Sequence, residues 1–253
     1  DHLARALAAI TGVHRTEGRV LIGGVPELRR GPEHACEFAG ALAAALAPTE
    51  APVAYGEILA LSGLAFAVNW FRGDAEAPFR WSTDCAVGQR PSSHRALQWA
   101  TGWVFEPIMR LGWPDMSDFV PLLTRAISRG HAVPCRMSAG PMAVLAGYED
   151  KGRRFLARAY DDVGFAELEV EHLGPLLYVL KRHDGAPSAE AVLPATLRLA
   201  LRQWYAPAEL MGNGALFAGD DAFRAWHADL GRADELPPAQ AAELCAVSQV
   251  VFD

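Results

Sequence analysis

The stretch Gly31-Pro-Glu-His-Ala-Cys-Glu-Phe-Ala-Gly-Ala-Leu-Ala-Ala-Ala-Leu46 decides how the rest of the chain is read. A proline near a first turn loses no hydrogen bond, and Glu33 suits the positive end of a helix dipole. Ala35, Phe38, Ala39, Leu42 and Leu46 recur at helical spacing, so they predict the buried face of a long first helix. His34 and Cys36 fall in its first turns. Cys36 lies about 100° round from Ala35, on the flank of the buried stripe. A thiol in that position gains thiolate character from the helix dipole, which makes Cys36 the first candidate for covalent chemistry.

Outward from this helix the pattern is helical first and extended later. Leu3 to Ala9 predicts a short helix, Gly12 to Gly18 a turn, and Arg19 to Ile22 a short strand. Pro48 and Pro52 end the first long helix, and Tyr55 to Phe71 reads as a second, nearly apolar one. Further helices are expected over Ser92 to Ala100 and from Ser117 to a stop at Gly130. Gly102-Trp103 and Gly112-Trp113 read as turns. The period then changes. His131 to Met137 is extended, moved towards an edge or a bulge by Pro134. Met142 to Tyr148 is a strand, Glu149 to Gly152 a turn, and Arg154 to Tyr160 alternates as the returning arm of a hairpin. Leu168 to Val170 and Leu176 to Lys181 are further strands. Asp184 to Ser188 is a polar hinge. Beyond it come a helix with Leu193, Leu197, Ala200, Leu201 and Trp204 on its face, one from Gly219 with Phe223, Trp226, His227 and Leu230, and a last one opened by Pro237-Pro238. The fold class is α+β: a helical N-terminal half packed on an antiparallel sheet over residues 1–183, and a helical C-terminal lobe over 188–253.

The 253 residues carry a formal net charge of −7, with 51% hydrophobic and 21% charged residues. This is a globular composition. It lacks the basic patch of a nucleic-acid binder, so no nucleic-acid partner is expected. The longest apolar run, Ile58 to Trp70, is too short and too interrupted to span a bilayer, and no membrane partner is expected. No leader is visible before Asp1. Cys36, Cys85, Cys135 and Cys245 lie far apart with no CxxC pair, which suits reduced thiols in a cytoplasmic protein better than a disulfide framework or a zinc site. Gly23-Gly24 and Gly212-Asn-Gly214 are not phosphate loops, and no cofactor is expected. Leu61-Ser-Gly63 lacks the elbow of a serine hydrolase.

A cysteine on a first long helix followed by a late antiparallel sheet is the order used by papain-like hydrolases and acyltransferases. The chain resembles the papain-fold family of butirosin biosynthesis protein H (its N-terminal domain), which is peptidase-C39-like in outline. The resemblance is carried by His34-Ala-Cys36, Glu57-Ile-Leu-Ala-Leu-Ser-Gly-Leu-Ala-Phe66, Gly130-His-Ala-Val133, Gly147-Tyr-Glu-Asp150, and the Gly219 to Leu230 segment with its Ala222 and Trp226. It implies an acyl-transfer or hydrolytic role for Cys36, with a general base on the Met142 strand. At that position the chain has Pro141 and Met142, and neither takes a proton. His34 is then a local substitute, His131 a neighbour on the preceding segment, and Asp161, after the hairpin strand, an orienting acid.

The function expected first is a cysteine-dependent acyltransferase or amide/thioester hydrolase acting on a small molecule, with catalytic candidates Cys36, His34, His131 and Asp161. The alternative is a catalytically degenerate scaffold of the same kind that binds a small ligand or partner protein. In that case Cys36 is a small buried hydrophobe, His131 a packed edge residue, and Asp161-Asp162 a turn. His227 is expected in a core. A homo-oligomer through an apolar stripe on the C-terminal helices is the third reading.

Overall fold

The computed structural model describes residues 12–30, 36–73, 79–81, 91–109, 116–138, 141–160, 162, 164–183, 185–211 and 214–249. In chain order the elements are β1 (Gly12–Thr16), β2 (Arg19–Gly23), α1 (Glu37–Leu46), α2 (Tyr55–Ser62), β3 (Asn69–Arg72), β4 (Phe79–Trp81), α3 (Pro91–Thr101), β5 (Trp103–Met109), α4 (Val120–Ser128), β6 (Val133–Met137), β7 (Met142–Glu149), β8 (Arg154–Ala159), β9 (Ala166–Glu169), β10 (Leu173–Arg182), α5 (Ala189–Trp204), β11 (Glu209–Met211), β12 (Gly214–Ala218), α6 (Gly219–Leu230) and α7 (Pro238–Gln249). The architecture is α+β. The chain divides into two compact units, residues 1–58 with 97–187 and residues 59–96 with 188–253.

The first unit is built on one antiparallel sheet whose hub is β7. One edge of β7 is shared by β6, along Met142–Leu145, and by β2, along Gly147–Glu149; β8 takes the other edge and passes it on to β9. The path continues from β6 through β10 to β5, and from β2 to β1. Residues 142–147 of β7 are all buried, and the run Met-Ala-Val-Leu-Ala-Gly is the continuous apolar signature of a strand covered on both faces. Helix α1 packs on β7 and β6. Its Phe38 ring meets Tyr178 and Phe105 edge-on, at centroid distances of 5.2 and 6.3 Å, the geometry that aromatic quadrupoles favour. Pro134 does not put β6 at an edge. It pairs with Val144 of β7, and the irregularity falls between β6 and β10, where the register shifts.

Three further expectations change here. Gly12 to Thr16 is a strand, because Val13 to Thr16 pair back on β2 across the Glu17-Gly18 turn. Gly102-Trp103 opens β5, whose Trp103 and Phe105 are buried against β10. The apolar run from Tyr55 is no single helix. Gly63 takes φ +77°, a conformation only glycine adopts cheaply, and this ends α2; the run continues as β3.

The second unit holds a four-stranded antiparallel sheet in the order β11-β12-β3-β4, with α5, α6 and α7. It is therefore not purely helical, and residues 59–96, read in sequence as part of the first unit, belong with it, because β3 pairs with β12 along Asn69–Arg72. Its core gathers Trp70, Ala222, Ala225 and Leu244. The α6 face is rotated from the expected one. Ala222, Ala225 and Asp229 are buried, while Phe223 and His227 are exposed. Asp229 decides this rotation. Its carboxylate is 1% exposed, accepts the indole N–H of Trp70 at 2.8 Å, and takes both ends of the Arg72 guanidinium, at 2.7 and 3.0 Å. A bidentate arginine with an indole donor satisfies a buried carboxylate that would otherwise be expelled to the surface.

Removing one partner of a buried pair strands the other. Asp229→Ala is expected to cost about 3 kcal/mol in urea unfolding, while Arg224→Ala, which breaks an exposed pair with Asp221, costs below about 0.5 kcal/mol. Equal losses in the two variants would show that the Asp229 carboxylate does not anchor this unit.

Candidate functional site

Cys36 is the residue immediately before α1. Its backbone is extended, at φ −93° and ψ 103°, so it is the N-cap and does not sit in the first turn. Its side chain is buried, at 2% exposure. Three elements hold this end of the helix. The Cys36 N–H donates to the Tyr55 hydroxyl at 3.0 Å. The Tyr160 hydroxyl, at the end of the β7–β8 hairpin, donates to the Glu37 carbonyl at 3.0 Å. The Met142 N–H, at the start of β7, donates to the Glu37 carboxylate at 3.2 Å. Arg30 completes the set, 3.6 Å from the other Glu37 oxygen and with its guanidinium 5.8 Å from the Tyr160 ring centroid.

The first residue of β7 thus lies against the first turn of the cysteine helix. Met142 occupies that place and offers a thioether and a backbone amide, neither of which accepts a proton at neutral pH. His34 and Asp161 lie outside the described residues, as do Cys85 and the segment expected to form a helix at Leu3–Ala9. His131 is described and does not join Cys36. Its ring stands edge-on to Trp103 at 5.9 Å, and the Trp103 indole N–H donates to the Ala51 carbonyl at 2.9 Å. Ala51 follows the C-terminal end of α1. Ten residues of helix rise about 15 Å, so His131 and Cys36 sit towards opposite ends of α1.

Beside the cysteine turn runs a groove of about 480 Å³. Its floor is the small-residue face of α1, Gly40, Ala43, Ala44 and Ala47. Its walls are the segments Pro26–Arg29 and Pro52–Tyr55, with Tyr160 and Glu57. Gly40 is required there, because a Cβ at this position would run into the Tyr160 hydroxyl. The two tyrosines that hold the cysteine turn are therefore also groove walls. Cys36 itself is not among the lining residues. A second cleft, of about 630 Å³, surrounds the β7–β8 turn and is lined by Asp150, Lys151, Arg153, Arg154, Glu169 and Glu171. Arg154 there is already shared among Glu149, Asp150 and Glu167. The mixed charge selects no ligand class, so the apolar groove is the stronger candidate.

Tyr55, Tyr160, Glu37 and Arg30 escape a reading based on reactive residue types. The available signal is the spacing Gly40, Ala44, Ala47, three small residues on one helix face, which reads equally well as ordinary core. No group of His, Cys, Asp and Glu among the described residues could hold a metal ion, and no described helix is long and apolar enough to cross a membrane. No family model, curated protein or solved structure matches the chain, so the resemblance to the butirosin biosynthesis protein H family rests on its short motifs alone.

Burial sets the titration of the groups around this core. The Cys135 thiol on β6 is pushed up to about 12 by burial, against a weaker opposing hydrogen bond from the Ala143 backbone. Burial likewise raises Tyr178 to about 12. It lowers His131 from 6.5; nearby Arg129 acts in the same direction, while the Leu180 backbone and Glu50 oppose it. His94, in the second unit, is also lowered by burial. Cys135 and Tyr178 hold their protons more tightly folded than unfolded. Their contribution is complete below pH 9 and is lost as pH rises towards 12, with a slope of at most about 1.4 kcal/mol per pH unit for each group. The two histidines bind protons more weakly when folded, so their contribution is complete above pH 6.5 and is lost as pH falls below it. Unfolding free energy measured by denaturant titration is expected to show a plateau between about pH 6.5 and 9 and to fall on both sides. Stability still rising at pH 10 would contradict the placement of Cys135 and Tyr178.

Proposed function

We propose that the protein binds a small, largely apolar molecule in the groove along α1, on a papain-like scaffold in which Cys36 is structural and turns nothing over. The observation that carries this reading is the groove itself. About 480 Å³ of space is floored by glycine and alanine, and its walls include the two tyrosines that tie down the cysteine turn. Cavities of this size with apolar linings and few polar groups are the usual form of small-molecule sites. The papain-like part of the proposal is supported by the packing of α1 on β6 and β7, with its N-cap cysteine at the start of β7. The non-catalytic part is supported by the burial of Cys36, by Met142 at the adjacent strand start, and by the distance of His131.

Indole serves as a probe of the groove in methyl NMR on alanine-labelled protein. Titration is expected to shift the Ala43, Ala44 and Ala47 methyl resonances together, and Ala47→Trp, a change at an exposed groove edge, is expected to weaken the effect at least about tenfold. Shifts spread evenly over unrelated alanines, or undiminished in Ala47→Trp, would sink the binding reading.

A second reading, cysteine-dependent acyl transfer or hydrolysis on a small molecule, is favoured by one feature. Cys36 stands at the positive end of a ten-residue helix, where a thiolate is stabilised. Alkylation by iodoacetamide at neutral pH, read residue by residue by mass spectrometry, separates the two readings. A structural Cys36 is expected to label no faster than buried Cys135 and far more slowly than exposed Cys245. Labelling of Cys36 ahead of Cys245, well below the free-thiol pKa of about 8.5, would replace the binding reading with the catalytic one.

A further inference from the structure

The groove along α1 has a charge of its own, set by two helix ends. Its floor residues Ala43, Ala44 and Ala47 lie at the C-terminal end of α1, the negative end of a helix dipole. The last turn of α1 carries no basic side chain. Position 48 is proline, so the Ala44 carbonyl lacks the N–H that would ordinarily close a helical hydrogen bond on it. On the wall stands Glu57, in the first turn of α2. One of its carboxylate oxygens accepts the Ala54 N–H at 2.9 Å, and the other has no partner among the described residues. The first turn of α2 would itself favour an anion, but Glu57 already supplies one.

The other charged groups of the lining answer each other. Glu27 lies 3.5 Å from Arg29 and 4.0 Å from Arg158. Arg29, with its side chain 77% exposed, stands mostly in solvent. What is left uncancelled is negative: the open oxygen of Glu57 and the end of α1. We propose that the ligand of this groove is a protonated amine on a small apolar body, with the apolar part on the alanine floor and the ammonium group at the open oxygen of Glu57. This rests on the binding reading given above and adds to it the charge of the ligand. A ligand carboxylate would meet Glu57 with like charge and could gain only from Arg29, which Glu27 already holds. The Glu57 side chain is exposed, so its pairing with an ammonium group has the strength of a surface ion pair, which corresponds to a preference of about three- to fivefold.

Indole, tryptamine and indole-3-acetate share one ring system and differ in charge at neutral pH. Methyl NMR titration of the alanine-labelled full chain with each probe separates the shape of the groove from its charge. The Ala43, Ala44 and Ala47 methyls are expected to report tryptamine binding about three- to fivefold tighter than indole, with indole-3-acetate the weakest of the three. Glu57→Gln keeps an oxygen that can cap the Ala54 N–H and removes the charge. In that variant the ratio of tryptamine to indole affinity is expected to fall below about two, and an unchanged melting temperature confirms its fold. The comparison of the three probes on the unaltered chain fixes the sign of the preference without any variant. Failure of all three probes to move these methyls would overturn the binding reading and the amine preference with it. Indole binding as tightly as tryptamine, indole-3-acetate binding tightest, or a tryptamine preference that survives Glu57→Gln would overturn the amine preference alone.

Discussion

The first turn of α1 begins with amide donors that no residue of the helix itself can satisfy. In this protein that end is buried, so the donors and the neighbouring carbonyl need partners from elsewhere in the unit. Tyr55 accepts the Cys36 N–H and Tyr160 donates to the Glu37 carbonyl, while the Glu37 carboxylate in turn accepts the Met142 N–H of β7. Much of the first unit follows from this requirement. The helix can enter the sheet only where β7 starts, because Glu37 bonds to the Met142 amide, and β8 must end where its Tyr160 can reach back to the Glu37 carbonyl. The β7–β8 hairpin that spaces these two contacts pairs from Ala143–Ala159 to Glu149–Arg154, with a single slip of register near Ala146.

The same contacts account for the composition of α1. Tyr160 lies so close across the helix that Gly40 admits no side chain, and one and two turns on, Ala44 and Ala47 keep the surface flat. A helix of Glu-Phe-Ala-Gly-Ala-Leu-Ala-Ala-Ala-Leu thus has two kinds of face. Phe38, Leu42 and Leu46 are buried, and the small residues leave the groove empty. The groove is a consequence of how the cysteine turn is tied down, which is why both tyrosines take part in both. A ligand in it would rest on the side chains that fix the helix terminus, and it would stabilise that terminus by the difference in its affinity for the folded and unfolded chain.

The parts of this fold that can be read from sequence are those whose cause is local. The β7–β8 hairpin shows itself through Glu149-Asp-Lys-Gly152 between an apolar run and an alternating one. The α4 stripe ends at a glycine, and α7 opens on two prolines. The parts that cannot be read have a distant cause. A continuous apolar run fits a buried helix and a buried strand equally well, and only the pairing of β3 with β12, and of β5 with β10, decides Tyr55–Phe71 and Trp103–Met109. On α5 the exposed leucines Leu193, Leu197 and Leu201 form as good a stripe as the one that is buried, at Leu199, Ala200 and Gln203. Periodicity finds the stripes and cannot say which of them its own unit covers.

The candidate site shows the same limit more sharply. A search for reactive residue types finds Cys36 and places it in the first turns of a helix opened by Pro32, when it is the N-cap. It pairs His131 with Cys36, although the helix that would join them holds them apart. Apart from Arg30, what holds the Cys36–Glu37 turn comes from residues 19 and more positions away. Tyr55 is 19 residues on from Cys36, Met142 is 105 from Glu37, and Tyr160 is 123 from it. None of the three is a conventional catalytic type in this setting, and no spacing rule joins them. Asp229 makes the point in the second unit. On a helical wheel it is one more acid of a surface helix; besides the nearby Arg232, its burial depends on Trp70 and Arg72, 159 and 157 residues earlier. In both units the side chains that hold the architecture are polar groups satisfied at long range. Burial of an unpaired donor or acceptor is so unfavourable that such groups specify one arrangement where apolar packing alone would tolerate several, and it is on that arrangement that the groove and the cysteine turn depend.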